Sequence, residues 1–161
     1  ARLIDDEAMA VLVGDMFPRA AVITPNLDEA GLLVGKTLLG VQDMLPAAQA
    51  LLARGARAVL LKGGHLPGDE VVDLLLTGAH TPLWMKAPRI PSANTHGTGC
   101  TLSSAMAAYL ALGLALPDAV QQARAFVRAA LQAGASVKTG QGSGPLNHGF
   151  APLPMIKNKS E

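Results

Sequence analysis

The stretch NTHGTGCTLSSA, residues 94–105, constrains this chain more than any other. A Gly-Thr-Gly turn runs straight into an apolar helical pattern, and the only cysteine, Cys100, stands at the join. A turn of this kind leaves several backbone N–H groups unpaired at the positive end of the helix dipole. Such a nest takes up anions, phosphate above all. Glycine lets the backbone approach a ligand closely, Thr98 adds a hydroxyl, and the same field favours a thiolate at Cys100. The plainer reading is a glycine-rich turn with a small buried cysteine packing the helix. Short glycine motifs are common, so the residues alone leave both readings open.

Helical and strand-like patterns alternate along the rest of the chain. DDEAMAVLVGDMF, 5–17, has apolar residues at 9, 12, 13, 16 and 17 behind a run of acids, a helix stopped by Pro18. AAVITPN reads as a short buried strand, and LDEAGLLVG as a short helix with Asn26 at its N-cap. VQDMLPAAQALLARG is a second helix, starting near Pro46 and closed by Gly55. RAVLLKGG is an apolar run between turn residues, and EVVDLLLT and TPLWMKAPRI form a hairpin around Gly78. The glycine turn opens a helix to about Leu112, and LPDAVQQARAFVRAALQAGASVK is a long amphipathic helix with Gly134 as its weak point. Its stripe of Val120, Ala123, Phe126, Val127, Ala130 and Leu131 is core. Beyond Lys138 the chain is irregular. This alternation predicts a largely parallel sheet.

Composition narrows the class. Half of the 161 residues are hydrophobic and only 16% charged, against about 25% charged in an average soluble domain. That suits a buried sheet flanked by helices, or part of a larger core. The chain starts at Ala1 without a Met and enters a helical pattern almost at once, which keeps a fragment among the open readings. A net charge of +1 and five aromatic residues (three Phe, one Tyr, one Trp) argue against nucleic-acid binding. The longest apolar run, 105–116, falls short of the ~20 residues that span a bilayer. A single cysteine excludes an intrachain disulfide, and the histidines at 65, 80, 96 and 148 lack metal-ligand spacing. The expectation is a cytoplasmic α/β protein.

NTHGTGCTLSSA resembles the signature of the hydroxymethylpyrimidine/phosphomethylpyrimidine kinases of thiamine biosynthesis, a branch of the ribokinase-like superfamily. ITPNLDEA at 23–30, VLLKGGH at 59–65 and GQGSGPLNH at 140–148 are similar to further family stretches, in the same order. The family chain is longer, and the N-terminal part that supplies most of its pyrimidine pocket has no counterpart here. The resemblance implies a ribokinase-like three-layer sandwich with a mostly parallel central sheet, its N-terminal part missing. Residues 1–150 would form the nucleotide and phosphoryl-transfer part, and 151–161 a flexible tail.

By residue, the resemblance implies an anion hole of Gly97, Thr98, Gly99 and Cys100 around the transferred phosphoryl. Asn26 and Glu29 would order Mg²⁺ and its waters. Lys62, Gly63, Gly64 and His65, with Thr95, Gly142 and Gly144, would border ATP. The activity implied is ATP-dependent phosphorylation of 4-amino-5-hydroxymethyl-2-methylpyrimidine and then of its monophosphate. Family members are often dimers. This chain alone is expected to be inactive or poorly soluble.

Each position also has a plainer reading. Asn26 with Glu29 is an ordinary N-cap and first-turn acid, and Lys62 a solvated charge. His65 caps a turn, His96 is a loop residue, Asn94 and Thr95 shape a turn, and His148 is structural. Four motifs in the family's order favour the catalytic set. Rival readings are a pyridoxal or other vitamin kinase of the superfamily, or a nucleotide-binding domain that transfers nothing.

Most of the superfamily has Asp where this chain has Cys100. The chemistry suggests why. An alcohol must lose a proton as it attacks, so a base helps. A phosphate monoester, with a second pKa of about 6, is already anionic and would be repelled by a fixed carboxylate. A thiol can serve both acceptors.

Overall fold

The computed structural model describes residues 5–78, 81–138 and 140–151. Most of the tail expected to be flexible, 152–161, lies outside them. The chain divides into two compact units, Ala1–Arg89 and Ile90–Glu161.

In the first unit, Asp5 caps α1 (Asp6–Val11), its Oδ1 accepting from the Ala8 amide at 2.8 Å. The helix passes into a π-helical turn, Leu12–Met16, before Pro18. Helix α2 (Leu27–Val34) starts at Asn26 as predicted. A 3₁₀ turn, Val41–Asp43, leads into α3 (Met44–Ala53), with Pro46 in the first turn, where its missing N–H breaks no helical bond.

The sheet has three strands in the order β1 (Ala58–Lys62), β2 (Glu70–Thr77) and β3 (Leu83–Pro88). Both pairings are antiparallel, with Leu60 opposite Leu75 and Asp73 opposite Met85. The mostly parallel sheet expected from the sequence is therefore corrected for the described residues. The apolar run in β1 records burial on both faces, not strand direction. Val59 and Leu61, with Leu74 and Leu76, join the core formed by Ala30, Met44, Ala48 and Leu51 of α2 and α3. Leu60 and Leu75, on the other face, are buried too. Only seven residues, 63–69, link β1 to β2, too few for the helical crossover that parallel neighbours need.

The predicted strand over 20–26 is reduced to two isolated parallel bridges with β1, Ile23 to Val59 and Asn26 to Lys62. Pro25 has no N–H to give and contributes only its carbonyl, which accepts from the Lys62 amide at 3.0 Å.

The second unit is built on a helix pair, α4 (Thr98–Ala111) and α5 (Leu116–Gly134). Pro117 lies in the first turn of α5, and Gly134 ends it. The stripe Ala119, Val120, Ala123, Val127 and Ala130 is buried as the periodicity requires, while Phe126 and Leu131 are half-buried.

Candidate active site

The parallel bridge between Asn26 and Lys62 joins two motifs of the first unit that lie 36 positions apart in sequence. Asn26 Oδ1 accepts from the Glu29 amide, and Glu29 Oε2 accepts from the Asn26 amide, each at 2.8 Å. This reciprocal capping box satisfies two helix-end donors. One oxygen of each side chain is thus engaged, leaving the second Glu29 oxygen for a ligand. Among the described residues no three His, Cys, Asp or Glu side chains gather as a metal cluster. An amide and one exposed carboxylate fit an ion such as Mg²⁺, which keeps several waters and takes further oxygens from phosphates.

Lys62 ends β1, half-buried, and the chain then turns sharply. Gly63 is required there, because a Cβ would lie 2.1 Å from the Val72 carbonyl oxygen. Its amide donates to Oδ1 of Asp73 at 3.0 Å. His65 Nδ1 lies 3.5 Å from Asp28 Oδ2, both side chains mostly exposed, so this pair contributes little. Asp73 was not among the residues expected from the sequence. Its signal was present: a single carboxylate in the otherwise apolar strand EVVDLLLT, and it is only 7% exposed.

In the second unit, Gly97 adopts φ 86° and ψ 1° as the N-cap of α4, a left-handed conformation that costs any L-residue with a Cβ. No side chain caps the helix. The Thr98 amide and hydroxyl both turn inward to the Thr95 carbonyl, at 3.3 and 2.5 Å. The Thr98 proton is therefore held within the turn, and the hydroxyl is left as an acceptor. Among the described residues, the amides of Gly99 and Cys100 meet no protein acceptor. These two donors stand at the positive end of a fourteen-residue helix, a position that favours negative charge.

Cys100 is exposed, contrary to the buried alternative. It lines a cleft of about 570 Å³ with Thr101, Ser104, Tyr109, Phe126 and His148. His148 Nε2 lies 2.8 Å from Thr101 Oγ1, and Phe150 packs on Phe126 with ring centroids 5.3 Å apart.

The structure also brings Thr95 to the 142–145 segment. Thr95 Oγ1 is 3.1 Å from Ser143 Oγ, and the His96 amide donates to the Gly144 carbonyl at 3.1 Å. Gly142 is exposed, whereas Gly144 is buried against Asn94. Asn94, read from the sequence as a turn residue, is 5% exposed and donates through Nδ2 to the Gly134 and Val137 carbonyls, both at 2.6 Å.

Solved structures share this architecture. A pyridoxal kinase from Staphylococcus aureus in complex with AMP-PCP superposes with a TM-score of 0.85 at 36% identity, over 91% of this chain and 54% of that one. A phosphomethylpyrimidine kinase from Clostridium difficile matches with a TM-score of 0.64 at 34% identity, over 80% and 50%. The fold is ribokinase-like. More narrowly, the model of the phosphomethylpyrimidine kinase family matches residues 1–147, and the chain belongs to that family.

A curated relative from Rhizobium meliloti, a hydroxymethylpyrimidine/phosphomethylpyrimidine kinase, is 46% identical over 91% of this chain. A thiamine biosynthesis bifunctional protein from Geobacter sulfurreducens is 45% identical over 92% of it. The chain spans 55% of the length of the first relative and 30% of the second.

Proposed function

We propose that this chain is the nucleotide and phosphoryl-transfer part of an ATP-dependent kinase of thiamine biosynthesis. Its acceptors are 4-amino-5-hydroxymethyl-2-methylpyrimidine and the corresponding monophosphate. The observation that carries the reading is the pair of unpartnered amides, Gly99 and Cys100, beside an exposed thiol on the first turn of α4.

In this reading the two amides donate to the oxygens of the migrating phosphoryl group, where charge gathers during transfer. The sulfur of Cys100, as thiolate, takes the proton of the acceptor alcohol while the alcohol oxygen attacks the γ-phosphorus and ADP leaves. For the second acceptor the attacking oxygen is already anionic, and the thiol stays protonated. Lys62, Gly63, Gly64 and His65 border the nucleotide, as do Thr95, Gly142 and Gly144. Gly144 acts by close packing rather than by open backbone. Asn26 and Glu29 are the residues that would hold Mg²⁺. Bound with ATP, the ion neutralises phosphate charge. A cytoplasmic enzyme, dimeric at full length, completes the reading. Among the described residues no helix is long and apolar enough to cross a membrane.

The similarity to pyridoxal kinase structures favours pyridoxal as the second candidate acceptor. An ADP-release assay on the intact enzyme, with hydroxymethylpyrimidine, pyridoxal or no acceptor, separates the readings. Turnover with the pyrimidine and then with its monophosphate supports the proposal. Turnover with pyridoxal alone favours the second reading, and no acceptor-dependent release overturns both.

A further inference from the structure

The seven residues between β1 and β2 are mostly exposed, with Leu66 half-buried against the core. A loop so placed has little apolar support, yet its backbone converges on one side chain. Arg89, just past β3, donates through Nε to the Gly68 carbonyl at 2.7 Å and through Nη1 to the Gly64 carbonyl at 2.8 Å. Its Nη2 donates to the Leu66 carbonyl, and its own amide reaches the Asp69 carbonyl at 2.7 Å. Three side-chain nitrogens of one rigid fork thus hold alternate carbonyls of the loop. Asp73 holds the Gly63 amide at the loop's start.

We propose that Arg89 is the positioning residue of the nucleotide loop: it sets the course of Gly63–Asp69 and, through it, the affinity for ATP, without touching the ligand. The inference rests on the reading above that Lys62–His65 borders the nucleotide. A flexible loop must be ordered when it binds, and ordering residues costs binding free energy. A loop already fixed by a guanidinium avoids that cost. Lysine cannot replace the fork, because one ammonium cannot span three separated carbonyls.

The test uses Arg89→Lys, Arg89→Ala and Gly68→Ala in the intact enzyme. Steady-state kinetics for ATP and acceptor are combined with hydrogen exchange over residues 63–69. Both Arg89 variants should raise KM for ATP roughly 10–100-fold, the range expected for losing hydrogen bonds to a charged group. The KM for acceptor should move by less than about threefold, with kcat nearly kept and exchange in the loop faster. Free guanidinium should restore ATP affinity to Arg89→Ala. Gly68→Ala, strained at φ 111°, displaces one of the three carbonyls and should show a smaller loss of the same kind. It serves if the Arg89 variants do not fold.

Unchanged ATP affinity in Arg89→Lys, or a parallel fall in all parameters without guanidinium rescue, overturns the proposal. Lys62→Ala and His65→Ala separate the two layers of argument. If they leave ATP affinity intact, the nucleotide reading of the loop fails. If they weaken it and Arg89→Lys does not, the positioning role fails.

Discussion

Asn94 and Gly144 fit together so closely that a Cβ on Gly144 would lie 1.9 Å from Asn94 Oδ1. The amide of Asn94 meanwhile donates to two carbonyls, that of Gly134 at the end of α5 and that of Val137 three residues beyond it. One side chain thereby ties the loop that precedes the glycine turn to the long helix, and one missing side chain leaves room for it.

Asn94→Ala should destabilise the protein by about 1–3 kcal/mol, since it strands the Val137 carbonyl, while the Gly134 carbonyl keeps the Val137 amide as a donor. Gly144→Ala should cost about 1–3 kcal/mol by overpacking. In the double variant the clash has no partner, so the two costs should not add. Urea unfolding of all three variants measures this. Simple additivity would show that the two residues are not coupled.

At Gly97 the constraint is different, because an added Cβ would meet only Leu146 Cδ1 at 4.0 Å. The cost of Gly97→Ala is then the left-handed backbone alone, about 1–2 kcal/mol. Activity should fall further than stability, by about 10²-fold, because the first-turn amides lose their aim. Gly97→Asn should lose less of both, as asparagine tolerates this conformation better. Thermal melts and kcat on the same preparations check it, and equal damage from Ala and Asn would refute it.

Cys100→Ala in the intact enzyme should slow phosphorylation of the alcohol by roughly 10²–10⁴-fold, the usual contribution of a general base. The same variant should slow phosphorylation of the monophosphate far less. Cys100→Asp should spare the first step and impair the second by charge repulsion. The measurement is the rate of each step with its own acceptor, and equal losses in both would end the argument.

The capping box gives Asn26 and Glu29 a structural duty that substitution can separate from metal binding. Glu29→Gln keeps an acceptor for the Asn26 amide and removes the charge. Stability should therefore move by less than about 0.5 kcal/mol. If Glu29 orders Mg²⁺, the Mg²⁺ concentration for half-maximal activity should rise. Asn26→Ala should cost about 1 kcal/mol through the lost cap. An unchanged Mg²⁺ requirement in Glu29→Gln would leave the pair as a cap only.

Much of the chain was legible locally. Asn26 was readable as an N-cap because capping is settled within four residues, and the long helix from its stripe of small apolar side chains. The glycine turn was legible as a helix start for the same reason. Strand direction was not, since Val59, Leu60 and Leu61 look alike whether their neighbour runs parallel or antiparallel. The segment before Asn26 misled because its apolar content suggested a strand while Pro25 limited its pairing. Asp73 carried a visible signal, a lone acid in an apolar strand. Arg89 carried none, because its partners are backbone carbonyls that any residue would supply.

The sequence by itself determined what depends on near neighbours: the helices and their caps, the hairpin, and the glycine turn that opens α4. Only the tertiary structure decided which distant groups meet, because those contacts belong to the folded path and not to any short pattern. It set Asn26 beside Lys62, closed Arg89 on the loop after β1, and buried the amide of Asn94 over Gly144. It also left the sulfur of Cys100 open to a cleft, which no periodicity could specify.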